Sequence, residues 1–342
     1  MSAELQSVVQ SYEDMGAGAI TSMPILILNV HENCNCRCSM CDIWKRPAGA
    51  ELQVDRVRLY QESIRALDVK QVVLTGGEPL LHSQLRDLCN MLKECRVRIT
   101  LLSTGLLLKS RAEIVAECVD EVIVSLDGPP EVHDSIRRIS RAYQVMQDGI
   151  RAVRKISPRL PIHARSTIQQ ANFGCLRRTV GAAHDLGCDS ISFLAVDTTS
   201  KAFNREFVWP VSRQNEVGIT SRDLVTLDAE VELLIAQHGE EFASRYIAED
   251  PEKLRRIANH FRQQLGLLPL RAPMCNAPWV SAVVEVDGSV RPCFFHDIVG
   301  NAGVLPLHEA LNTPEARAFR QTLDVESNSI CQRCVCSLNY RL

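Results

Sequence analysis

Four cysteines lie within eight residues of one another near the start of the chain: Cys34, Cys36, Cys38 and Cys41. Cys34, Cys38 and Cys41 have the spacing C-x3-C-x2-C and can supply three thiolates from one tight loop. Three thiolates suit a cubane cluster of four irons only if the fourth iron is left for another ligand. Such an iron could chelate the amino and carboxylate groups of a bound small molecule and deliver one electron to it.

Zinc is the alternative for this loop, and the spacing suits it less well. Zinc usually takes a closed set of four ligands, often as paired C-x2-C units. The loop has one such pair, Cys38 and Cys41, plus the offset Cys34, while the extra thiol of Cys36 leaves the ligand set ambiguous. The loop therefore favours an iron–sulfur cluster with an open iron.

A second group of cysteines lies in the C-terminal part of the chain: Cys275, Cys293, Cys331, Cys334 and Cys336. The run Val280–Val286 has a strand-like pattern, and the Asp287-Gly288 pair that follows it is a hairpin signal. A hairpin would bring the first two cysteines of the group together, and the C-x2-C pair would complete four thiolates. Cys336 could replace Cys334 as a ligand, and zinc would also accept four cysteines, so both questions stay open.

The composition is that of a globular protein without a strongly charged surface. The chain has 342 residues, 46% of them hydrophobic, a net charge of −3 and no Lys/Arg-rich run, which argues against a nucleic-acid or membrane partner. The apolar stretch Met23–Val30 is too short to span a bilayer, and Glu13 and Asp14 precede it in place of a basic segment. We therefore expect a cytoplasmic protein.

The chain contains 14 cysteines, which in a reducing cytosol indicates metal or redox chemistry more than structural disulfides. Five of them are scattered through apparent helices and loops, where we expect small buried apolar side chains: Cys89, Cys95, Cys118, Cys175 and Cys188.

Short β-rich runs alternate with longer amphipathic segments from Ile25 onward. We predict six strands: Ile25–Val30, Gln71–Leu74, Val97–Leu102, Glu121–Leu126, Ile162–Ile168 and Ser190–Val196. We predict helices between them: Asp55–Leu67, Gln84–Glu94, Lys109–Cys118, Arg141–Ile156 and Leu176–Leu186. Parallel βα units with right-handed crossovers wind into a barrel, so the sequence predicts an α/β fold with a complete or partial barrel.

Changes in composition and hydrophobic pattern divide the chain into four segments. They are an N-terminal extension (residues 1–24), the barrel (25–200), a polar helical linker segment (201–270) and a small hairpin-and-helix domain (271–342). We expect helices at Leu227–His238 and Pro251–Gln264 in the linker segment, and a helical segment at Leu307–Asp324 in the last domain.

Unusual residues follow the predicted strands at their C-terminal ends. The cysteine loop follows the first strand, Gly76-Gly77-Glu78-Pro79 follows the second, Ser103 follows the third, and Ser125 lies at the end of the fourth. Barrel enzymes assemble their sites at this face. Because the strands are predicted from the hydrophobic pattern alone, this agreement supports the barrel.

The cysteine spacing, with Met40 before the last cysteine and GGEP one βα unit later, resembles the signature of radical S-adenosylmethionine (radical SAM) enzymes. The resemblance covers most of the chain and implies a partial (β/α)6 TIM-like barrel of the radical SAM type. It also implies that Cys34, Cys38 and Cys41 bind a [4Fe-4S] cluster whose open iron binds SAM. One departure is that Met40 stands where an aromatic residue is often found.

The same resemblance implies contacts to SAM. GGEP would lie beside the methionyl amino group, and Ser103 and Ser125 match positions that commonly contact the ribose or the carboxylate. Arg165 on the fifth strand is a candidate for the carboxylate, because an arginine fork suits that group. The predicted SAM-binding residues are Met40, Gly76, Gly77, Glu78, Pro79, Ser103, Ser125 and Arg165.

The C-terminal cysteines resemble the auxiliary-cluster domains of the same family, which are called SPASM with two clusters and twitch when shorter with one. Cys275, Gly288 and Cys293 match in spacing, and Cys331 and Cys334 follow. A two-cluster domain needs further cysteines downstream, whereas this sequence stops at residue 342. The resemblance therefore implies one auxiliary cluster and two [4Fe-4S] clusters in all.

Membership of this family would imply reductive cleavage of SAM to a 5′-deoxyadenosyl radical, which abstracts hydrogen from a substrate carbon inside the barrel. We expect a small polar substrate (a sugar, aminocyclitol or other secondary metabolite), with dehydrogenation or epimerisation as the net reaction. The alternative is a maturase that modifies a ribosomal peptide or protein side chain. About two dozen residues precede Ile25, which leaves little room for a leader-binding domain and favours the small molecule.

Charged residues just past two strand ends are candidate substrate contacts. Asp127, His133 and Arg137 lie in the stretch DGPPEVHDSIRR after the fourth strand, and Asp197 ends the sixth. We expect them to line the substrate mouth.

Further expectations concern electron and hydrogen supply. A reducing partner such as flavodoxin or ferredoxin would deliver the electron. The sequence identifies no catalytic residue, although an epimerase would need a hydrogen donor such as Cys175, Cys188 or Cys336. A non-enzymatic electron carrier or a zinc-stabilised binding protein is a third class, against which GGEP and the other strand-end motifs argue.

Overall fold

A nine-stranded sheet forms the centre of the computed structural model, which describes residues 18–46 and 49–340. Its strand order is β6-β5-β4-β3-β2-β1-β7-β8-β9. The strands are β1 Ile25–His31, β2 Gln71–Gly76, β3 Arg98–Ser103, β4 Glu121–Ser125, β5 Ile162–Ile168, β6 Ser190–Ala195, β7 Ser281–Val284, β8 Ser289–Arg291 and β9 Gly300–Asn301. Strands β1 to β6 pair in parallel and in chain order, which confirms the predicted partial (β/α)6 barrel.

Helices connect the parallel strands and cover their outer face. They are α1 Val54–Ala66, α2 Leu85–Lys93, α3 Ala112–Cys118, α4 Pro130–Arg137, α5 Ala142–Ile156 and α6 Leu176–Leu186. All except α4 were predicted within three residues at each end. No helix was predicted in the stretch that forms α4, where candidate substrate contacts were expected. Pro130 stands in the first turn of this helix, where a missing N–H costs nothing.

Alternate residues of the barrel strands have different surroundings. Leu26, Leu28 and Val30 of β1 are fully buried in the core that the strands share with the helices, while Ile25 and Ile27 are half-buried and point to the inside of the barrel. This alternation is what the pleat of a strand imposes. The interior face is therefore free to line a cavity.

The C-terminal region extends the barrel sheet. Strand β7 pairs in parallel with β1, with Ile25 opposite Ser281 and Leu28 opposite Val284. It then pairs antiparallel with β8, which confirms the hairpin predicted around Asp287-Gly288. This pairing brings the segments that carry Cys275 and Cys293 beside the inside of the barrel.

The segment between β6 and β7 packs on the edge of the barrel. Its helices are α7 Val211–Val217, α8 Leu224–Gln237, α9 Gly239–Ala243 and α10 Pro251–Gln264. Short helices follow in the C-terminal region, at α11 Ala277–Val280, α12 Leu307–Ala310 and α13 Pro314–Thr322. The single helical segment predicted at Leu307–Asp324 is thus two helices, because Thr313 caps a new helix that begins at Pro314.

Most of the predicted N-terminal extension lies outside the described residues. Among the helices of the described ranges, none combines the length and hydropathy needed to cross a lipid bilayer.

Candidate cluster and cofactor site

The cysteine loop begins just after β1, at the C-terminal edge of the sheet. The thiol sulfurs of its three predicted ligands all accept hydrogen bonds of 3.5 Å. The backbone N–H of Cys36 donates to Cys34 Sγ, that of Ile43 donates to Cys41 Sγ, and Arg137 Nη1 donates to Cys38 Sγ. Donors aimed at sulfur stabilise thiolates and tune clusters bound to them.

The four thiols of the loop differ in their acidity. Hydrogen bonds to Cys34 and Cys38 raise the pKa of Cys36, and the same bond from Cys36 lowers the pKa of Cys38. Burial raises the pKa of Cys41 to about 12. Cys36 thus lies within reach of two of the predicted ligands, and Cys34, Cys38 and Cys41 stay the predicted ligand set.

The GGEP motif lies directly against the chain that leads into this loop. Gly77 N donates to His31 O at 2.7 Å, and Glu78 N donates to Asn33 O at 2.8 Å. Gly76 has a φ of +126°, and a Cβ at Gly77 would stand 2.0 Å from Asn33 O. Because no side chain fits in this space, the two glycines permit the contact that positions the start of the cysteine loop.

Replacing Gly77 by alanine is expected to lower the free energy of unfolding by about 1–3 kcal/mol, because its Cβ must displace the backbone at Asn33. Gly181 in the exposed part of α6 is the matched control, since a Cβ there meets no atom within 4 Å. Alanine at Gly181 should raise the free energy of unfolding by about 0.5–1 kcal/mol. Denaturant unfolding measures both, and equal stability of the two variants would contradict the close contact.

Glu78 joins the ends of β2 and β3. Its carboxylate is fully buried and accepts hydrogen bonds from Ser103 Oγ at 2.9 Å, Leu80 N at 3.0 Å, and the N and Oγ1 of Thr104, both at 2.7 Å. Burial raises the pKa of Glu78, and these donors oppose that effect. Ser103 therefore fixes the GGEP turn, while its predicted contact with SAM remains a prediction. Pro79 is buried in the short turn that follows.

Ser125 and Arg165 lie opposite each other on β4 and β5. Arg165 lines the cavity inside the barrel, and its Nε donates to Ser192 Oγ at 3.3 Å. Met40 of the cysteine loop is partly buried against the hydrophobic core. The structure thus places the remaining predicted SAM contacts on the cysteine loop and on strands that face the inside of the barrel.

A cavity of about 300 Å3 lies between the inner face of the barrel and the C-terminal region. All five cysteines of the second group line it: Cys275, Cys293, Cys331, Cys334 and Cys336. His296, which the sequence did not single out, has its Nε2 3.4 Å from Cys331 Sγ. Cys334 and Cys336 both line the cavity, so either of them could be the fourth ligand.

The four predicted substrate contacts are buried: Asp127, His133, Arg137 and Asp197. Asp127 pairs with Arg137, whose Nε lies 2.6 Å from the Asp127 carboxylate, and Asp197 pairs with Arg205 at 2.5 Å. Burial lowers the pKa of His133 to about 3, and its Nδ1 accepts from Asp127 N at 3.3 Å. Their charges are thus paired inside the protein beside the cysteine loop, and their contact with a substrate stays a prediction.

A segment after β6 covers the other side of the loop. Trp209 Nε1 donates to Asp42 Oδ2 at 2.7 Å, and the centre of its ring lies 3.9 Å from the guanidinium carbon of Arg205 and 5.0 Å from that of Arg213. Arg205 Nη2 donates to Met40 O at 3.2 Å, and Arg213 donates to Ser39 O. Sequence reasoning missed these residues, although a tryptophan within a charged segment without strands was a usable signal.

The residues present fit an iron–sulfur cluster in the cysteine loop. Three sulfurs there accept hydrogen bonds, and a guanidinium donates to one of them. In the ranges that the structure describes, no group of three or more His, Cys, Asp or Glu side chains is arranged to hold a single metal ion. A cysteine loop at the C-terminal end of the first barrel strand is the arrangement expected of a barrel protein that holds an iron–sulfur cluster.

Comparison with known proteins identifies the family within that class. The Radical SAM superfamily matches residues 28–165, and SPASM, an iron-sulfur cluster-binding domain, matches residues 275–335. The chain belongs to the radical SAM superfamily and carries a C-terminal SPASM domain. Its cofactors are accordingly S-adenosylmethionine and [4Fe-4S] clusters.

Two curated relatives and one solved structure illustrate the similarity. An AdoMet-dependent heme synthase of Methanosarcina barkeri is 27% identical over 176 residues, which are 49% of this chain and 50% of the relative. The antilisterial bacteriocin subtilosin biosynthesis protein AlbA of Bacillus subtilis is 22% identical over 308 residues, which are 84% of this chain and 61% of the relative. Thus the chain spans about half the length of the heme synthase and somewhat more of AlbA.

The solved structure is Streptococcus suis SuiB bound to its precursor peptide SuiA. It superposes with a TM-score of 0.64 at 13% identity and covers 98% of this chain and 76% of that chain. The same protein bound to S-adenosylmethionine gives a TM-score of 0.63. These superpositions show a shared fold.

Proposed function

We propose that this protein is a radical SAM maturase that cleaves SAM reductively and abstracts hydrogen from an apolar side chain of a peptide or protein. When bound, the first cluster and SAM supply the 5′-deoxyadenosyl radical. This proposal replaces the small polar substrate that the sequence favoured. Support comes from a relative that matches 84% of the chain, the subtilosin biosynthesis protein, which acts in the production of a bacteriocin.

The observation that carries the choice of substrate is the lining of the cavity. Apolar side chains dominate its walls: Ile25, Ile27, Val73, Leu102 and Ile123 from the barrel and Phe294 and Phe295 from the C-terminal region. Among its polar residues, Gln71 and Thr100 hydrogen-bond to each other at 2.6 Å. Buried hydroxyls of a sugar or aminocyclitol would need partners on every side, whereas an apolar side chain needs none.

The chain's own residues divide the work as follows. Cys34, Cys38 and Cys41 hold the first cluster at the mouth of the barrel, and Glu78 with Ser103 fixes the turn beside it. Arg165 lines the cavity wall and would bind a carboxylate there. The apolar walls exclude water, which protects a reactive carbon centre from competing donors.

We propose a second cluster at the SPASM cysteines, held by Cys275, Cys293, Cys331 and one of Cys334 and Cys336. Placed beside the cavity, it would accept the second electron of a side-chain oxidation. A low-potential donor such as flavodoxin or ferredoxin is the proposed reducing partner.

The test combines metal analysis with substrate panels. After anaerobic reconstitution we expect about eight irons with equal sulfide and little zinc per chain, as two cubane clusters require. Synthetic peptides with apolar side chains should raise 5′-deoxyadenosine formation above the rate without substrate, and peptides deuterated in those side chains should transfer deuterium to the product. Stimulation by aminocyclitols or sugars but not by peptides would overturn the proposed substrate. About four irons plus one zinc would overturn the second cluster.

A further inference from the structure

Two buried aspartate–arginine pairs flank the cysteine loop in similar ways. Each aspartate lies two residues past the end of a barrel strand, Asp127 after β4 and Asp197 after β6. Asp127, Arg137, Asp197 and Arg205 are each at most 7% exposed. Since burying a charge is costly without a compensating role, two such pairs at one loop call for an explanation.

The first pair contacts the part of the loop around Cys38. Arg137 lies between the Asp127 carboxylate, 2.6 Å from its Nε, and Cys38 Sγ, 3.5 Å from its Nη1. The end of the same helix, α4, accepts two backbone hydrogen bonds from the loop, from Arg37 N to Arg137 O (3.2 Å) and from Ser39 N to Ile136 O (3.1 Å). The pair therefore links a barrel strand, a helix end and a cluster ligand.

The second pair contacts the part of the loop around Cys41. Arg205 contacts the Asp197 carboxylate at 2.5 Å through Nη1 and donates from Nη2 to Asp197 O (2.8 Å) and Met40 O (3.2 Å). Its guanidinium stacks on Trp209, which in turn donates to Asp42. The residues on both sides of Cys41 are thus fixed by one arginine and the ring beneath it.

We propose that Arg137 and Arg205 are positioning residues for the first cluster, which fix the loop around Cys38 and Cys41 and make the cluster easier to reduce. The inference rests on the proposed cluster at Cys34, Cys38 and Cys41. Reduction adds negative charge to the cluster. An arginine beside the cluster sulfurs stabilises that charge more than an uncharged side chain such as glutamine would. Arg137 donates directly to Cys38 Sγ, and the negative charge of its partner Asp127 opposes its effect on that thiol only in part.

The charge effect is tested by an anaerobic redox titration of the reconstituted full chain, followed by electron paramagnetic resonance. The signal of the first cluster is the one that changes when SAM is added. Arg137→Gln should lower the ratio of reduced to oxidised cluster at a fixed potential at least tenfold, which is about 59 mV for one electron. The double variant Asp127→Asn/Arg137→Gln leaves no unpaired buried charge and should shift in the same direction. Arg205→Gln and Asp197→Asn/Arg205→Gln test the second pair in the same way.

The positioning effect is tested on the protein without cluster, by hydrogen exchange of the amides of Arg37 and Ser39 and of the segment 40–42. Both Arg→Gln variants should raise these exchange rates. Arg205→Lys keeps the charge and loses the fork, so it should raise exchange while leaving the potential near that of the wild type. Arg177→Gln/Glu230→Gln, which removes a partly exposed arginine–glutamate pair that joins α6 and α8 with contacts of 2.9 and 3.1 Å, is the control.

The outcomes separate this inference from the proposed function. Potentials and exchange rates equal to those of the Arg177 control would overturn the inference. Faster amide exchange without a change in the reduction potential would leave only the positioning role and overturn the charge effect. A wild-type protein with no SAM-responsive signal would overturn the proposed function, while the exchange measurement would still decide the positioning role.

Discussion

Replacing Cys41 by alanine is expected to reduce 5′-deoxyadenosine formation to the level seen without protein. Cys41 is one of the three thiols that we propose bind the first cluster, and its sulfur lies in the part of the loop fixed by Ile43 N and by Arg205. With two thiolates left, the cluster loses the ligand set that leaves one iron open. Anaerobic incubation with SAM and dithionite, followed by chromatography of the product, measures the effect.

Cys36 is the matched control within the same loop. It is almost fully buried and donates to Cys34 and Cys38, so it supports two ligands without being one in our proposal. Alanine at Cys36 should therefore lower product formation only about tenfold, as loss of a supporting contact does. Alanine at Cys95, a half-buried thiol just after the C-terminal end of α2, should leave product formation unchanged. Product formation by the Cys41 variant equal to that of the Cys36 variant would show that the ligand set is wrong.

The same loop shows how far the sequence alone reaches. The cysteine spacing and GGEP predicted the site because each depends on a local pattern: a short thiol loop and a turn that only glycine permits. The strands were predicted equally well because a buried strand carries its own hydrophobic pattern. The structure adds that Gly77 and Glu78 hydrogen-bond to the chain before Cys34, which explains why the two motifs occur together.

What the sequence could not predict depends on contacts between distant residues. Nothing in the pattern of Ser281–Val284 indicates that it pairs with β1 rather than forming a separate small sheet. The sequence places Asp127 and Asp197 just past strand ends, but it does not reveal the pairing with Arg137 and Arg205 that allows them to be buried. Those partners lie 10 and 8 residues away, beyond a turn that no periodicity reveals.

The substrate preference changed for a related reason. A sequence reveals which residues lie in strands but not which of them enclose a space together with a distant segment. Ile27 and Leu102 come from the barrel, while Phe294 comes from the C-terminal region, and only the fold brings them to one cavity. The apolar character of that cavity was therefore invisible to an argument based on the spacing of motifs.

Replacing Cys293 by alanine is expected to separate the two halves of the reaction. SAM cleavage without substrate should continue near the wild-type rate, because the first cluster is held by a different loop. Turnover of the peptide should fall to background, because Cys293 lines the cavity with the other SPASM cysteines and removing it opens the auxiliary ligand set. Mass spectrometry of the peptide and quantification of 5′-deoxyadenosine from the same reaction measure both quantities.

Two further variants sharpen this result. Cys334 and Cys336 both line the cavity, and the one that is a ligand is revealed by its effect on iron content. Alanine at the true ligand should reproduce the Cys293 phenotype and lower the iron content from about eight toward about four per chain. The variant with alanine at the other cysteine should keep all its iron. If that variant keeps its iron but no longer modifies the peptide, the thiol that was replaced acts on the substrate. Loss of every cluster signal in the Cys293 variant would instead mean that the two sites are not independent, because a structural effect of the SPASM region then reaches β1 through its pairing with β7.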